Sequence, residues 1–385
     1  MKPGSAGDLA AGSFVPPEVL IIGGGMIVHD QILPSLYHLQ RLGRISGITI
    51  CARRAKTLQA LIEAAPLQRA FPGQNFRATL QPFAHAMRQM QSRHIVFVAV
   101  PDQLHHEVIM QALACDQHVC TVKPLVLEHR HGIEIAEEAR RRGLLAAIDY
   151  HKRFDNRSLM ARRAYRDGRF GEFRLGTARL LEKWYYRRSN FQNWMTAENS
   201  DAFTYIGCHY VDLVHFITGL MPAAVSVYGI RDRFPNSAEG YLWTDARVIW
   251  ENGACLNVQN ALGYPDAAPG GNTQGLTMYC QGGEDGGLIA HSDQYRGVSY
   301  SYAEPPSYAE PNPDYFQYVE WEGVGLAPAG YGYRSIEQMI SAAASGQLDS
   351  SLLATAQNSS FNDRVIEAAR QSLREGGREI RLGQP

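Results

Sequence analysis

Val19–Pro34, reading VLIIGGGMIVHDQILP, constrains the fold more than any other stretch. Val19–Ile22 is a short apolar run rich in branched side chains, as expected of a strand buried on both faces. Gly23, Gly24 and Gly25 then break it, and apolar residues return at Ile27, Ile32, Leu33, Leu36 and Tyr37 with roughly helical spacing. Strand, glycine turn and helix form the opening of a dinucleotide-binding unit. Glycine lets backbone approach a pyrophosphate, and the helix N-terminus offers it N–H groups and partial positive charge. The residues placed to do this are Gly23, Gly25, Met26 and Ile27. Gly23 and Gly25 fit the first two positions of G-x-G-x-x-G, whereas Val28 holds the third. That substitution predicts a wider helix–strand gap or a shifted turn. On these residues alone, a plain strand–helix turn in another α/β protein is the competing reading.

The next strand, Ile45–Cys51, ends at the place where a carboxylate usually binds the adenosine ribose. Here the residues are Ala52, Arg53 and Arg54. An arginine at this point can accept a 2′-phosphate, so the local chemistry leans toward NADP, with NAD as the alternative. Two solvated arginines at a helix start would look the same.

Strand and helix patterns keep alternating through His94–Val100, His105–Ala114, His118–Val122, Glu128–Arg142 and Leu144–Tyr150. This predicts a doubly wound parallel sheet with right-handed crossovers, ending near Tyr150. Beyond it the character changes. Phe173–Glu182 reads as a strand and Phe203–Thr218 as a helix. Ala224–Tyr228, Ala246–Glu251, Ala254–Asn260, Leu276–Gln281 and Gly286–His291 read as strands without helices between them, an open and mostly antiparallel sheet. Such a sheet has a face to cover, by its own helices, a partner subunit or both. Ser301–Pro313 reads as a proline-rich connecting loop, and Ser335–Ala344 and Ala354–Leu373 as the last helices. The expected division is a flexible leader over 1–17, a Rossmann domain over 18–150 and a substrate-binding and oligomerisation domain over 151–385. The C-terminal helix is expected to pack back toward the first domain.

Bulk composition narrows the function. The chain has 385 residues, 45% hydrophobic and 19% charged, enough to bury a sizeable core. A net charge of −1 points to neither a nucleic-acid nor a membrane-surface partner. No run approaches the ~20 apolar residues needed to cross a bilayer. The six cysteines are scattered without a C-x-x-C pair, which argues for reduced thiols, a cytoplasmic location and no zinc site.

Three segments carry a resemblance: Ala99–Pro124 (AVPDQLHHEVIMQALACDQHVCTVKP), Tyr150–Asp155 (YHKRFD) and Tyr205–Asp212 (YIGCHYVD). In order and spacing the chain resembles the glucose–fructose oxidoreductase/inositol dehydrogenase/MocA family, from about Val19 to the last helix. The resemblance implies a Rossmann domain followed by an α/β domain with an open, mostly antiparallel sheet. It also implies NAD(P)-dependent oxidation of a secondary alcohol of a sugar, polyol or related ring, or the reverse. Dimers or tetramers packed through the open sheet are implied as well.

The resemblance further implies that Val100, Pro101 and His105 lie along the cofactor and that Lys123 touches both cofactor and substrate. A lysine after a buried strand, at the ligand-binding edge of the sheet, can stabilise developing negative charge on an oxygen. His209 matches the family histidine that moves the proton or holds the substrate. Asp212 shares its helix face and would orient His209, bind a substrate hydroxyl or make a structural hydrogen bond. Two departures stand out: Val122 replaces the family glutamate, and Tyr205 replaces an aspartate. A phenol can donate to an oxygen or relay a proton, or merely pack. Lys152 and Trp184 complete the expected substrate contacts. Trp184 belongs to the aromatic, arginine-bearing segment Lys183–Trp194, which would close over a ring or serve as a subunit contact. Besides a dehydrogenase, two readings stay open: a redox-assisted glycoside hydrolase with tightly held NAD, and a nucleotide-binding regulator without turnover.

Overall fold

The computed structural model describes residues 15–292, 298–304 and 308–383. Most of the expected leader, and part of the proline-rich loop, lie outside those residues. The first half runs β1 (Glu18–Ile22), α1 (Leu33–Arg41), β2 (Gly47–Cys51), α2 (Ala55–Ile62), α3 (Ala65–Ala70), β3 (Arg77–Thr79), α4 (Phe83–Arg88), β4 (Ile95–Val98), α5 (His105–Ala114), β5 (His118–Thr121), α6 (His129–Arg142) and β6 (Ala146–Ile148). Strands β1 to β6 pair in parallel in the order β6-β5-β4-β1-β2-β3. Their centre is apolar on both faces: Leu20, Ile21, Val96, Phe97 and Val119 are at most 2% exposed. Fully burying side chains of this size contributes about 1.5–3 kcal/mol each. In a parallel sheet all strand C-terminal ends share one edge. The turns after β1, β2, β4 and β5 are therefore gathered on the same rim.

After α7 (Asn156–Arg166), the second sheet is built from β7 (Glu172–Lys183), β8 (Pro222–Arg233), β9 (Glu239–Trp250), β10 (Cys255–Tyr264), β11 (Asn272–Gln281) and β12 (Gly287–Ser292). Between β7 and β8 lie the short α8 (Tyr186–Ser189) and α9 (Cys208–Thr218). The order is β12-β11-β7-β10-β9-β8, antiparallel throughout except where β7 meets β10. Alternation in β10 sends Leu256 and Val258 inward and Asn257 and Gln259 outward. The inward face packs on α9 and on α11 (Ala356–Arg374). Strands β8 and β9 run well past the apolar stretches that mark them in sequence, because Gly229–Thr244, Ile230–Trp243 and Arg231–Tyr241 continue the ladder.

Two small ladders follow, β13 (Tyr300–Ser301) with β14 (Tyr308–Ala309), and β15 (Gln317–Trp321) with β16 (Gly325–Ala329). The chain then returns to the first half. Tyr331, Ile336, Met339 and Ile340 of α10 (Tyr331–Ser345) sit in the core against α1, and β17 (Ala354–Thr355) pairs antiparallel with β6. Helix α11 opens on a reciprocal cap between Thr355 and Asn358 and packs on α6 and β8, and β18 (Ile380–Arg381) completes the second sheet. Among the described residues, no helix is long and apolar enough to cross a membrane.

Candidate functional site

The rim of the first sheet begins with the glycine turn. Gly23 has φ +113°, and a Cβ there would lie 2.0 Å from the Ala99 carbonyl oxygen, so only glycine fits. Its N–H donates to Cys51 O at 2.9 Å, which ties the ends of β1 and β2. A Cβ on Gly25 would meet no atom within 4 Å, leaving room for a ligand to approach the backbone. The Gly25 carbonyl accepts from Val28 and His29, so helical structure begins at Met26 and Ile27. Val28 is fully buried, and the residues Val28–Ile32 form a π-helical turn ahead of α1. The unusual third position of the glycine pattern thus coincides with a widened first turn, the shifted geometry its side chain predicts. Ala52 is buried and Arg53 and Arg54 are exposed after β2. The glycine cradle, the helix start and these two cations suit a dinucleotide phosphate chain.

His105 has a different place from the one expected. It is fully buried, and its ring nitrogens face the carbonyls of Pro124 at 2.7 Å and Val100 at 3.0 Å. It leaves no nitrogen for a ligand, and instead clamps the turn after β4, with Val100 and Pro101, to the turn that carries Lys123.

Lys123 follows β5, before a cis peptide bond to Pro124. Its Nζ donates to the backbone carbonyl of Tyr205 and lies 3.4 Å from the centre of the Tyr205 ring. Burial holds its ammonium below the usual value, while Cys208, Asp102, Glu182 and Asp149 oppose the shift. Tyr205 sits in a π-helical turn (Phe203–Gly207) ahead of α9, with its ring 4.8 Å from Phe191 and 5.8 Å from Trp194. Burial raises the Tyr205 phenol well above its ordinary value, so it stays protonated and is a donor rather than a base. Gly207 is required here, because a Cβ would meet the Phe203 ring and the Asn260 side chain below 3 Å.

His209 is 5% exposed, and among the described residues its Nδ1 has no hydrogen-bond partner. Burial, reinforced by His151, Lys123 and Lys152, lowers its pKa well below 6.5, so the imidazole is neutral near pH 7. The His151 ring lies 4.7 Å from it, centre to centre. Lys152 donates to Gln274 Oε1 and faces the rings of Tyr210 and Tyr331 at 5.3 and 5.9 Å. Asp149 accepts from Gln31 at 2.8 Å and Ser335 at 2.5 Å, and lies 3.7 Å from His151 Nδ1. Tyr315 in turn donates to Gln31 at 2.7 Å.

Asp212 does not reach His209. It takes the Arg153 guanidinium in a two-pronged pair at 2.8 and 2.6 Å, and Arg153 also donates to Ser359 at 3.0 Å. With Asp212 1% exposed, it holds the segment bearing His151 and Lys152 and offers no surface to a ligand. Trp184 is half-exposed, with its ring 3.8 Å from the Arg187 guanidinium. Arg187 is buried on Asp232 at 2.6 Å, so this arginine supports the loop rather than contacting solutes.

Sequence reasoning pointed to the Tyr150–Arg153 segment but favoured Lys152 over His151 within it, and it missed the Asp149–Gln31–Tyr315 network and Glu182. The Glu182 carboxylate bears on Lys123, Tyr205, Tyr186 and Tyr315, and so supplies negative charge beside the position where the family has an aspartate. Its signal was its place at the end of β7, next to the Lys183–Trp194 loop.

Comparison with known proteins agrees with this geometry. Residues 18–150 match the GFO_IDH_MocA oxidoreductase family with NAD-binding Rossmann fold, and residues 158–283 match the GFO/IDH/MocA C-terminal domain. D-Glucoside 3-dehydrogenase of Escherichia coli (strain K12) is 27% identical over 217 residues, covering 55% of this chain and 56% of that protein. The chain thus spans little more than half the length of that relative. 2,7-Anhydro-N-acetylneuraminate hydratase of the same organism is 25% identical over 134 residues, covering 35% of this chain and 36% of the other. The crystal structure of GenD2 from gentamicin A biosynthesis, in complex with NAD, superposes with a TM-score of 0.71 at 18% identity, covering all of both chains. The two family matches fall on the two halves of the fold, and the chain belongs to the GFO/IDH/MocA family of NAD-binding oxidoreductases.

Proposed function

We propose that the protein transfers a hydride between a nicotinamide cofactor and a secondary alcohol or ketone of a sugar, polyol or sugar derivative. The observation that carries this reading is the meeting of Lys123, from the rim of the first sheet, with Tyr205 and His209, from the second half of the chain. When bound, the cofactor supplies or accepts the hydride at its nicotinamide ring. In the oxidative direction, Lys123 donates a hydrogen bond to the reacting oxygen and stabilises the alkoxide as it forms. Neutral His209 takes the hydroxyl proton, and as the C=O bond forms the carbinol hydrogen would leave as hydride, with both electrons of its C–H bond, for the nicotinamide. Tyr205, held protonated, donates to the same oxygen or stacks on the ring. Lys152 and Gln274 hold a neighbouring hydroxyl, and Trp184 covers one side of the ring. Asp212 acts through Arg153 by fixing the His151–Phe154 segment.

Arg53 and Arg54 support NADP over NAD, because two exposed cations follow β2 where a carboxylate would reject a 2′-phosphate. Self-association through the open face of the second sheet is supported by a hollow of about 740 Å³ lined by Arg179, Asp245, Arg247 and Gln259. The exposed apolar side chains Leu175, Tyr279 and Leu288 on the same sheet add to this surface. The free, unpaired cysteines fit a cytoplasmic location.

The test follows the nicotinamide absorbance while purified protein and added NADP or NAD meet sugars, sugar acids, polyols and glycosides, repeated with Lys123→Ala. Reduction that needs added cofactor and is lost in the variant is expected. The partial match to a hydratase favours one other reading, elimination or hydrolysis through transient oxidation by retained NAD. Substrate consumed without net reduction, with nucleotide released only on denaturation, would replace the dehydrogenase by that reading. Silence on every substrate with nucleotide bound would favour a regulator.

A further inference from the structure

Away from the site, on the outer side of the first sheet, α5 and α6 bring two histidines and a glutamate together. His106 projects from the first turn of α5, and His131 and Glu134 from the first turns of α6. One donor atom from each lies within 4.8 Å of the other two. The two imidazoles stack at 3.9 Å with their planes 12° apart. His106 Nε2 is buried and lies 2.8 Å from a Glu134 carboxylate oxygen.

An ordinary ion pair explains this cluster poorly. The His106–Glu134 contact accounts for only two of the three groups and leaves out the stacked His131 ring, whose donor atom lies within 4.8 Å of both others. Two imidazoles and one carboxylate are, by contrast, a donor set for a borderline divalent ion. Metal–nitrogen and metal–oxygen bonds of about 2.0–2.2 Å are reached by small side-chain rotations, with water completing the shell. Hard ions such as Mg²⁺ and Ca²⁺ prefer all-oxygen sets, so they are disfavoured. The charge balance also fits, since Arg130 is already paired with Glu128 at 2.9 Å.

We propose that His106, His131 and Glu134 form a binding site for a divalent transition-metal ion, of the Zn²⁺ or Ni²⁺ class, that cross-links α5 to α6. The site was invisible to a search for cysteine pairs, because its ligands are imidazoles and a carboxylate from two separate helices. Its position gives it a consequence. His105, next in sequence to His106, clamps Pro124 and Val100, and α6 begins just past the Lys123 turn. A bound ion braces the two helices that carry this turn without touching the reacting groups.

The experiment uses the full-length, tag-free protein stripped of metal, titrated calorimetrically with Zn²⁺ and followed by thermal unfolding. None of its readouts depends on turnover, so it stands or falls apart from the proposed reaction. The wild type is expected to take up one equivalent of Zn²⁺ and to unfold at a higher temperature with it. His106→Ala and His131→Ala are expected to weaken uptake at least about tenfold and to abolish the thermal shift. Glu134→Gln, a change on a half-exposed side chain that leaves the fold intact, is expected to weaken uptake in the same direction. Lower pH should weaken wild-type uptake as protons compete for the imidazoles. No Zn²⁺ uptake by the wild type, or uptake undiminished in all three variants, would overturn the proposal.

Discussion

Arg153 is a buried and Lys123 a partly buried cation, and the protein treats them differently. Arg153 is matched on every side: Asp212 takes it through two hydrogen bonds at 2.8 and 2.6 Å and Ser359 takes a third. Lys123 has no carboxylate within ion-pair distance among the described residues, only a backbone carbonyl and the face of an aromatic ring. A saturated charge has its electrostatic capacity committed to the fold. A charge left with weak partners keeps that capacity for an oxygen that arrives with substrate. Asp363 on α11 represents a third outcome. It is fully buried against Gly132 of α6, and burial, only partly offset by the Val126 backbone, raises its carboxyl well above the usual range. It escapes the cost of ionisation by keeping its proton.

The largest expected effect falls on the saturated pair. Asp212→Asn leaves Arg153 buried without its counter-charge and should cost about 3–5 kcal/mol in urea unfolding. If Asp212 instead binds substrate, the variant will keep its stability and raise KM, and the contrast with Lys123 fails. His209→Asn should do the opposite, lowering kcat by about 10²–10⁴-fold with an unchanged melting temperature. Because His209 titrates well below 6.5, wild-type kcat should show no acid limb at the ordinary imidazole value. A limb at that value would mean that His209 is not the base or is not desolvated.

Asp363→Asn should stabilise the protein at neutral pH by about 1–3 kcal/mol. The sign follows from linkage. A carboxyl whose folded pKa is raised binds its proton more tightly when folded, so stability falls as pH rises from the unfolded value of 3.8 through the folded one. The advantage of Asn should therefore shrink as pH is lowered toward 3.8, and an advantage independent of pH would contradict it. The smallest effect concerns Arg53 and Arg54. Replacing both with Ala should raise KM for NADP about tenfold and leave NAD unchanged. An equal loss for both cofactors would remove the NADP preference.

Much of this contrast was legible in the sequence, but not evenly. Val19–Pro34 announced a strand, a glycine turn and a helix. Even its flaw, Val28 in a glycine position, pointed to the π-helical turn found there. Local patterns located β4, β5, α5 and α9 because each buries an apolar face with its own period. The partner of Asp212 was not legible, since Arg153 stands 59 residues before it in the chain and meets it only in the folded packing. The same holds for Arg187, which by composition could serve a substrate and in the fold serves Asp232 and two tryptophans. Helix α7 was missed because its sequence, NRSLMARRAYR, shows too thin an apolar stripe to register as a helix. Tertiary pairing decides which charges are committed, and it leaves little trace in local spacing.

The most direct test of the contrast measures turnover and thermal unfolding side by side in Lys123→Met and Arg153→Met. The account predicts that Lys123→Met melts within a few degrees of the wild type and has lost turnover. It predicts that Arg153→Met, with Asp212 stranded, melts far lower. A destabilised Lys123→Met, or one that still turns over, would contradict the claim that the weakly partnered cation is the one kept for chemistry.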